Sequence, residues 1–384
     1  DGAIAFVENI PSKGYRTLYF DKAEAKPESP FILNGDKSLE TPFYKIELDE
    51  NALFSSIFDK ENDREVLKAG EKGNLLRMYE DKPIYYDNWD IDIFYTEKYW
   101  DALSVEKLEW IEIGEVRATL LVERKISNSF IRQKIHFYAD NRRIDFETYV
   151  DWKDNQHLLK VHFPVDIHSD EATFEIQFGN AVRKVHTNTS WDEARFESCA
   201  QKWMDFSEGH YGVALLNDCK YGHSIRDGVL GLTLIKSGIE PNPTTDQEEH
   251  FFTYALYPHA ESWRYSNVSD EAYNLNQPLK TVKKAMAEDV YSFANVDKKN
   301  VVIETIKKAE EGEGTVIRLF ERDNAKTTVK LLVDTEFNKA FTCDLLENEE
   351  EELKVEEAVN AYGKKVKAVS LKLRPFEVYT VKFR

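Results

Sequence analysis

The sequence predicts an all-β protein: large antiparallel sheets packed face to face, followed by a small immunoglobulin-like β-sandwich. Three observations carry this. The strand-favouring residues Tyr and Phe number 19 and 23, and aromatics make up 13% of the chain. Apolar and polar residues alternate with a period of two through segment after segment, and short polar turns join the segments. Helical patterning is scarce. Its best case is Ser269 to Asn276, with Ser269 as the expected cap, Asp270 and Glu271 in the first turn, and Pro278 just beyond.

The strands follow in order. Tyr44-Lys45-Ile46-Glu47-Leu48 alternates, turns at Asp49-Glu50-Asn51 and returns as Leu53 to Phe58. A meander comes next: Val116 to Glu123, Ile131 to Tyr138 and Ile144 to Val150, with turns at Ser127-Asn128-Ser129 and Ala139-Asp140-Asn141. Leu158 to Val165, Phe174 to Phe178, Gly212 to Leu216, Val229 to Ile235 and Phe251 to Tyr257 continue it. Aromatic density drops near residues 285–298. Beyond lie short strands at near-regular spacing: Val301 to Ile306, Thr315 to Phe320, Thr328 to Val333, Ala340 to Leu345, Val366 to Leu373 and Tyr379 to Phe383. The two chain ends echo each other, Pro11 preceding Tyr15 as Pro375 precedes Tyr379. The N-terminal strand therefore reads as the closing strand of a sandwich whose other strands are missing, as in a piece cut from a larger protein. The expected domains are residues 1–25 (remnant strand of a preceding small sandwich), 26–288 (large sheets) and 289–384 (small sandwich).

Composition narrows function. At 384 residues the chain exceeds what one core usually serves. A net charge of −19 without a basic block argues against nucleic acid and anionic membranes as partners. No apolar run approaches the roughly 20 residues of a membrane helix, and the opening residues form no signal peptide. Three widely spaced cysteines, Cys199, Cys219 and Cys343, fit a reducing cytosol, so a cytoplasmic location is expected. The acidic runs Glu310-Glu311 and Glu349 to Glu352 read as solvated loops or helix starts.

The densest chemistry lies in Asp87-Asn88-Trp89-Asp90-Ile91-Asp92-Ile93-Phe94-Tyr95. Carboxylates and amides bind sugar hydroxyls, and aromatic faces cover the apolar side of a pyranose, so this mixture suits carbohydrate. The plainer reading is an edge strand over Ile91-Asp92-Ile93. Elsewhere, His162 among Leu158, Val161 and Phe163 reads as a satisfied core histidine. Trp191 to Arg195 reads as a sheet-edge cap with a local ion pair. Asn217-Asp218 reads as a turn. No spacing of His or Cys suits a zinc site inside the chain, and no nucleophile elbow or phosphate-cradling loop is present.

Asn88-Trp89-Asp90-Ile91-Asp92, Leu158 to Val165, Asn188 to Glu197, Leu215 to Gly222, Asp246 to His250 and Tyr254 to His259, taken in that order, resemble the C-terminal β-rich half of a class II α-mannosidase, glycoside hydrolase family 38. Glu248 departs from that pattern, standing where Gly is frequent. The resemblance implies a galactose-mutarotase-like supersandwich before the small sandwich. It also implies a parent enzyme that hydrolyses terminal α-D-mannosides with retention, whose absent N-terminal catalytic domain holds zinc and an aspartate nucleophile. This chain would then carry no catalytic residue, metal or cofactor, and would be inactive alone. Trp89, Asp90 and Asp92 would line the mannose subsite, with Asp246 and His250 nearby. The implied partners are the catalytic domain and mannosides, and a homo-oligomer is admissible. Two other readings stay open: a self-contained mutarotase-like aldose epimerase using His250 with Glu249 or Asp90, and a carbohydrate-binding or structural β module.

Overall fold

The computed structural model describes residues 4–19, 28–284 and 286–384. Its described residues divide into two compact units, one formed by 4–5, 28–175 and 181–279, the other by 6–19, 176–180, 280–284 and 286–384.

The first unit is built on two large antiparallel sheets. A nine-stranded sheet runs in the order 179–184, 171–176, 203–208, 211–217, 249–260, 144–151, 129–138, 117–126 and 105–113. A six-stranded sheet runs 198–199, 222–226, 229–237, 157–164, 75–80 and 99–101, and a five-stranded sheet collects the strands from 32 to 65. Alternation explains the packing. In Tyr44–Leu48 the first, third and fifth side chains are buried while Lys45 and Glu47 face water. Phe146 and Tyr254, neighbours across two central strands, stack at 4.8 Å, and Phe163 of the six-stranded sheet meets Phe146 at 5.5 Å. Burying rings of this size contributes about 2–3 kcal/mol each.

On the outer face of the nine-stranded sheet lies the helix Val268–Asn276, which buries Val268 and Ala272 against Trp203, Leu216, Tyr257 and Trp263. Its N-cap is Asn267 rather than Ser269, which sits buried inside the first turn. Arg143 and Asn141, from the turn before the strand Ile144–Asp151, both donate to Glu271 Oε2, at 3.1 and 2.9 Å. Asn267 makes no side-chain cap hydrogen bond, and this tertiary anchor holds the first turn.

The second unit pairs a four-stranded sheet (294–296, 327–333, 365–373, 356–359) with a five-stranded one (301–308, 315–321, 378–383, 340–343, 349–353). Their facing sides supply Val329, Leu331, Leu371 and Leu373 against Ile303, Leu319, Val381 and Phe383. Two expectations change here. Gly14–Arg16 is paired within the chain, antiparallel to Val290–Ser292. The acidic run is neither loop nor helix start: Glu349–Leu353 is the edge strand of the five-stranded sheet, its glutamates exposed. A row of like charges on an edge discourages a foreign strand from pairing there, which suits the position. No helix among the described residues is long and apolar enough to cross a membrane.

Candidate functional site

The segment between strands Leu75–Glu80 and Tyr99–Asp101 of the six-stranded sheet is a loop, not the edge strand that Ile91-Asp92-Ile93 suggested. Tyr86 adopts a left-handed backbone (φ 49°), and its carbonyl accepts from both Trp89 N (2.8 Å) and Asp90 N (3.0 Å). Asp92 Oδ2 accepts from Ile84 N at 2.9 Å and closes the loop, and a 3-10 turn, Ile93–Glu97, leads out of it. Backbone donors satisfied inside the turn have no need of a neighbouring strand. The turn leaves Trp89 75% exposed, with Ile84, Tyr85, Tyr86 and Phe94 also mostly in water. Tyr86 and Trp89 lie 5.5 Å apart, ring to ring.

Buried groups hold this exposed rim at both ends. At its start, Asp87 Oδ1 accepts from Ile239 N (2.9 Å) and Glu240 N (2.8 Å), and Oδ2 accepts from Gln156 Nε2 (3.2 Å). Burial raises the Asp87 pKa, but those donors and the nearby Lys236 ammonium outweigh it and hold it below the usual carboxylate value. Lys236 donates to the Asp87 carbonyl and pairs with buried Asp81 at 2.7 Å. Asn88 Nδ2 donates to Asn242 O at 3.1 Å. The 84–92 loop is thereby joined to the 238–247 loop, and Gly238 packs closely against Asp87 and Asn88. A Cβ there would lie 2.2 Å from Asn88 Oδ1 and 2.6 Å from Asp87 Oδ1. Gly238→Ala should therefore lower stability by about 1–3 kcal/mol and speed proteolysis within 84–97. Unchanged cleavage kinetics would show that the junction does not hold the loop.

At its far end, Tyr95 is buried. Its ring meets Tyr79 edge-on at 5.1 Å, and its hydroxyl donates to Glu197 Oε1 at 2.8 Å. Burial first, and then Glu197, push the Tyr95 pKa up, keeping the phenol protonated as a donor. Glu197 Oε1 also takes a short contact from Lys160, whose Nζ donates to Ser224 Oγ at 3.0 Å. Lys160 is 1% exposed, and burial pulls its ammonium below the usual lysine value against the pull of Glu197. Beside this network, His162 Nε2 shares a hydrogen bond with Tyr79 OH at 2.9 Å. Burial, then Lys160 and Arg77, keep His162 neutral, the behaviour expected of a satisfied structural histidine.

Trp89, Asp90 and Asp92 thus share one loop, where Asp90 Oδ1 accepts from Ile91 N at 3.1 Å. Asp246 lies near the end of the neighbouring loop and His250 in the strand that follows it: Asp246 has φ 58°, and its carbonyl accepts from His250 Nε2 at 2.8 Å. That bond requires a proton on Nε2. His250 and Glu249 are successive residues of one strand and point to opposite faces, and Glu249 accepts from Tyr149 OH at 2.6 Å. They do not converge as an acid–base pair. The hydrogen bonds that join the two loops run through Asp87 and Asn88. Sequence reasoning missed Asp87, Tyr95, Glu197 and Lys160 as supporting residues. Among the described residues, no group of three or more His, Cys, Asp or Glu is placed to hold a metal ion.

Comparison with known proteins complements this geometry. Residues 39–244 match the family described as "Glycosyl hydrolases family 38 C-terminal domain", and residues 300–381 match "Glycosyl hydrolases family 38 C-terminal beta sandwich domain". The chain is 35% identical over 367 residues to α-mannosidase G of Dictyostelium discoideum, covering 91% of this chain and 33% of that protein. It is 35% identical over 351 residues to human α-mannosidase 2C1, covering 88% and 34%. It therefore spans about a third of the length of these relatives. Among solved structures, an α-mannosidase from Enterococcus faecalis superposes with a TM-score of 0.73 at 16% identity, over 92% of this chain and 42% of that one. At that identity the likeness concerns the fold.

Proposed function

The chain belongs to glycosyl hydrolase family 38, whose C-terminal region it carries, and from that premise we propose that its 84–97 loop forms part of the sugar-binding cleft of a retaining α-mannosidase acting on terminal α-D-mannosides. The observation that carries this reading is the exposed Trp89 on a loop fixed from below at Asp87 and Tyr95. An exposed indole held in place offers a flat face to the C–H side of a pyranose with little ordering left to complete on binding. Asp90 and Asp92 each spend one acceptor site on a backbone N–H, leaving carboxylate lone pairs to receive sugar hydroxyls. Asp246 and His250 border the same cleft in this reading, with His250 held by the Asp246 carbonyl.

Bond cleavage belongs to an N-terminal catalytic domain that supplies the aspartate nucleophile and zinc. In this reading the chain's own part is to bind and orient the sugar. The location consistent with the cysteine pattern is the cytoplasm.

The test uses this chain joined to its catalytic domain. Asp90→Ala and Trp89→Ala should each lower kcat/KM on an aryl α-mannoside ten-fold or more, which is about 1.4 kcal/mol, with folding unchanged. The chain without the catalytic domain should show no turnover. Unaltered kcat/KM in both variants, or hydrolysis by the isolated chain, would refute the proposal.

A further inference from the structure

On the outer face of the nine-stranded sheet, three adjacent strands place Arg132, Tyr149 and Phe251 side by side in one row: Arg132 is registered opposite Tyr149, and Tyr149 opposite Phe251. The next row along the same strands holds Lys134 and Glu147, likewise opposite each other, and then Thr253. The rows line a concavity of about 560 Å³. Tyr149 and Phe251 lie 5.0 Å apart, ring to ring, and the Arg132 guanidinium lies 5.8 Å from the centre of the Tyr149 ring. Phe251 is 72% exposed, in the body of a strand whose next residue, Phe252, is buried in the core.

We propose that this groove is a second carbohydrate-binding face, which takes a neutral oligosaccharide across the strands. The charges set the ligand class. Arg132 is paired with Glu123 at 2.7 Å and Lys134 with Glu147 at 2.7 Å, so the ligand needs to bring no charge of its own. The acidic balance of the chain disfavours polyanions. The exposed Phe251 ring, beside the half-buried Tyr149 ring and a guanidinium, an ammonium and a carboxylate, matches a molecule with an apolar C–H face and a rim of hydroxyls. The row crosses three strands, about 10 Å, long enough to seat more than one sugar ring. Because His250 and Phe251 are successive strand residues, this face is the opposite one from that of His250.

Saturation-transfer NMR with α-linked mannotriose tests this in a Trp89→Ala background, which silences the 84–97 loop. The proposed function contributes only the choice of probe. Transfer should persist in Trp89→Ala and fall at least five-fold in Trp89→Ala/Phe251→Ala, whereas Trp89→Ala/Phe251→Trp, which keeps an aromatic face, should retain it. No transfer in Trp89→Ala, or transfer indifferent to Phe251→Ala, overturns the proposal. So does a concentration-dependent dimer that Phe251→Ala dissolves, since the row would then serve self-association. None of these outcomes bears on kcat/KM in Asp90→Ala, so the two readings fail separately.

Discussion

Lys160→Met should lower the unfolding free energy by about 3–5 kcal/mol. The ammonium is 1% exposed and contacts Glu197, whose side chain is only 14% exposed. Removing the cation leaves a largely buried carboxylate without its counter-charge, and the uncompensated charge costs more than the pair contributed. Adding Glu197→Gln should restore at least half of the loss, because a neutral amide needs no cation and its carbonyl can still accept from Tyr95 OH. Urea denaturation at pH 7 reads both. A loss under about 1 kcal/mol, or no recovery in the double variant, would show that the pair is not the anchor its burial indicates. The same variant should speed proteolysis within 84–97, since Tyr95 ties that segment to Glu197 and so to Lys160.

Stability should fall as pH drops from about 6.5 towards 4, and His223 should account for about 3 kcal/mol of that fall. Its Nδ1 faces the Tyr221 carbonyl at 3.1 Å, so Nδ1 carries the proton. Its Nε2 is buried with no partner, and a second proton there would sit on a donor without an acceptor. Burial first, with repulsion from Lys160 adding to it, pushes the His223 pKa down to about 4. The sign follows from linkage. Between pH 4 and 6.5 the unfolded chain, near the ordinary histidine value of about 6.5, binds a proton that the folded chain refuses. The contribution is thus whole above 6.5 and lost on the way down to 4. Buried His162 and His136, both shifted down by burial, act in the same direction. Asp81 and Glu175, raised by burial, oppose it, because they take up protons earlier in the folded state. Unfolding free energies of wild type and His223→Asn from pH 7 to 4 isolate the residue. The variant should show the shallower slope, and parallel curves would contradict the assignment.

Most of the architecture was legible because it rests on period-two alternation, a property of neighbouring residues. Tyr44–Leu48 and the meander through residues 117–151 form as strands, and their apolar positions fill the core. The misreadings occur where local chemistry was overruled. Ser269 has every feature of a cap, yet the N-cap is Asn267, two residues earlier, and Glu271 in the first turn is held by Arg143 and Asn141. The glutamates of 349–352 are poor strand formers, yet Glu349–Leu353 pairs with Ala340–Cys343 at the sheet edge.

The candidate site divides along the same line. The sequence by itself determined an all-β chain and gathered Trp89, Asp90 and Asp92 into one segment, because composition and alternation are written in adjacent residues. Only the tertiary structure decided which carboxylate is sequestered and which stay on the rim. Asp87 meets Ile239, 152 positions away, and Tyr95 meets Glu197, 102 positions away. A carboxylate buried against backbone donors and one left in water can come from the same run of residues. What separates them is desolvation and hydrogen bonding by distant strands, which exists once the chain has folded.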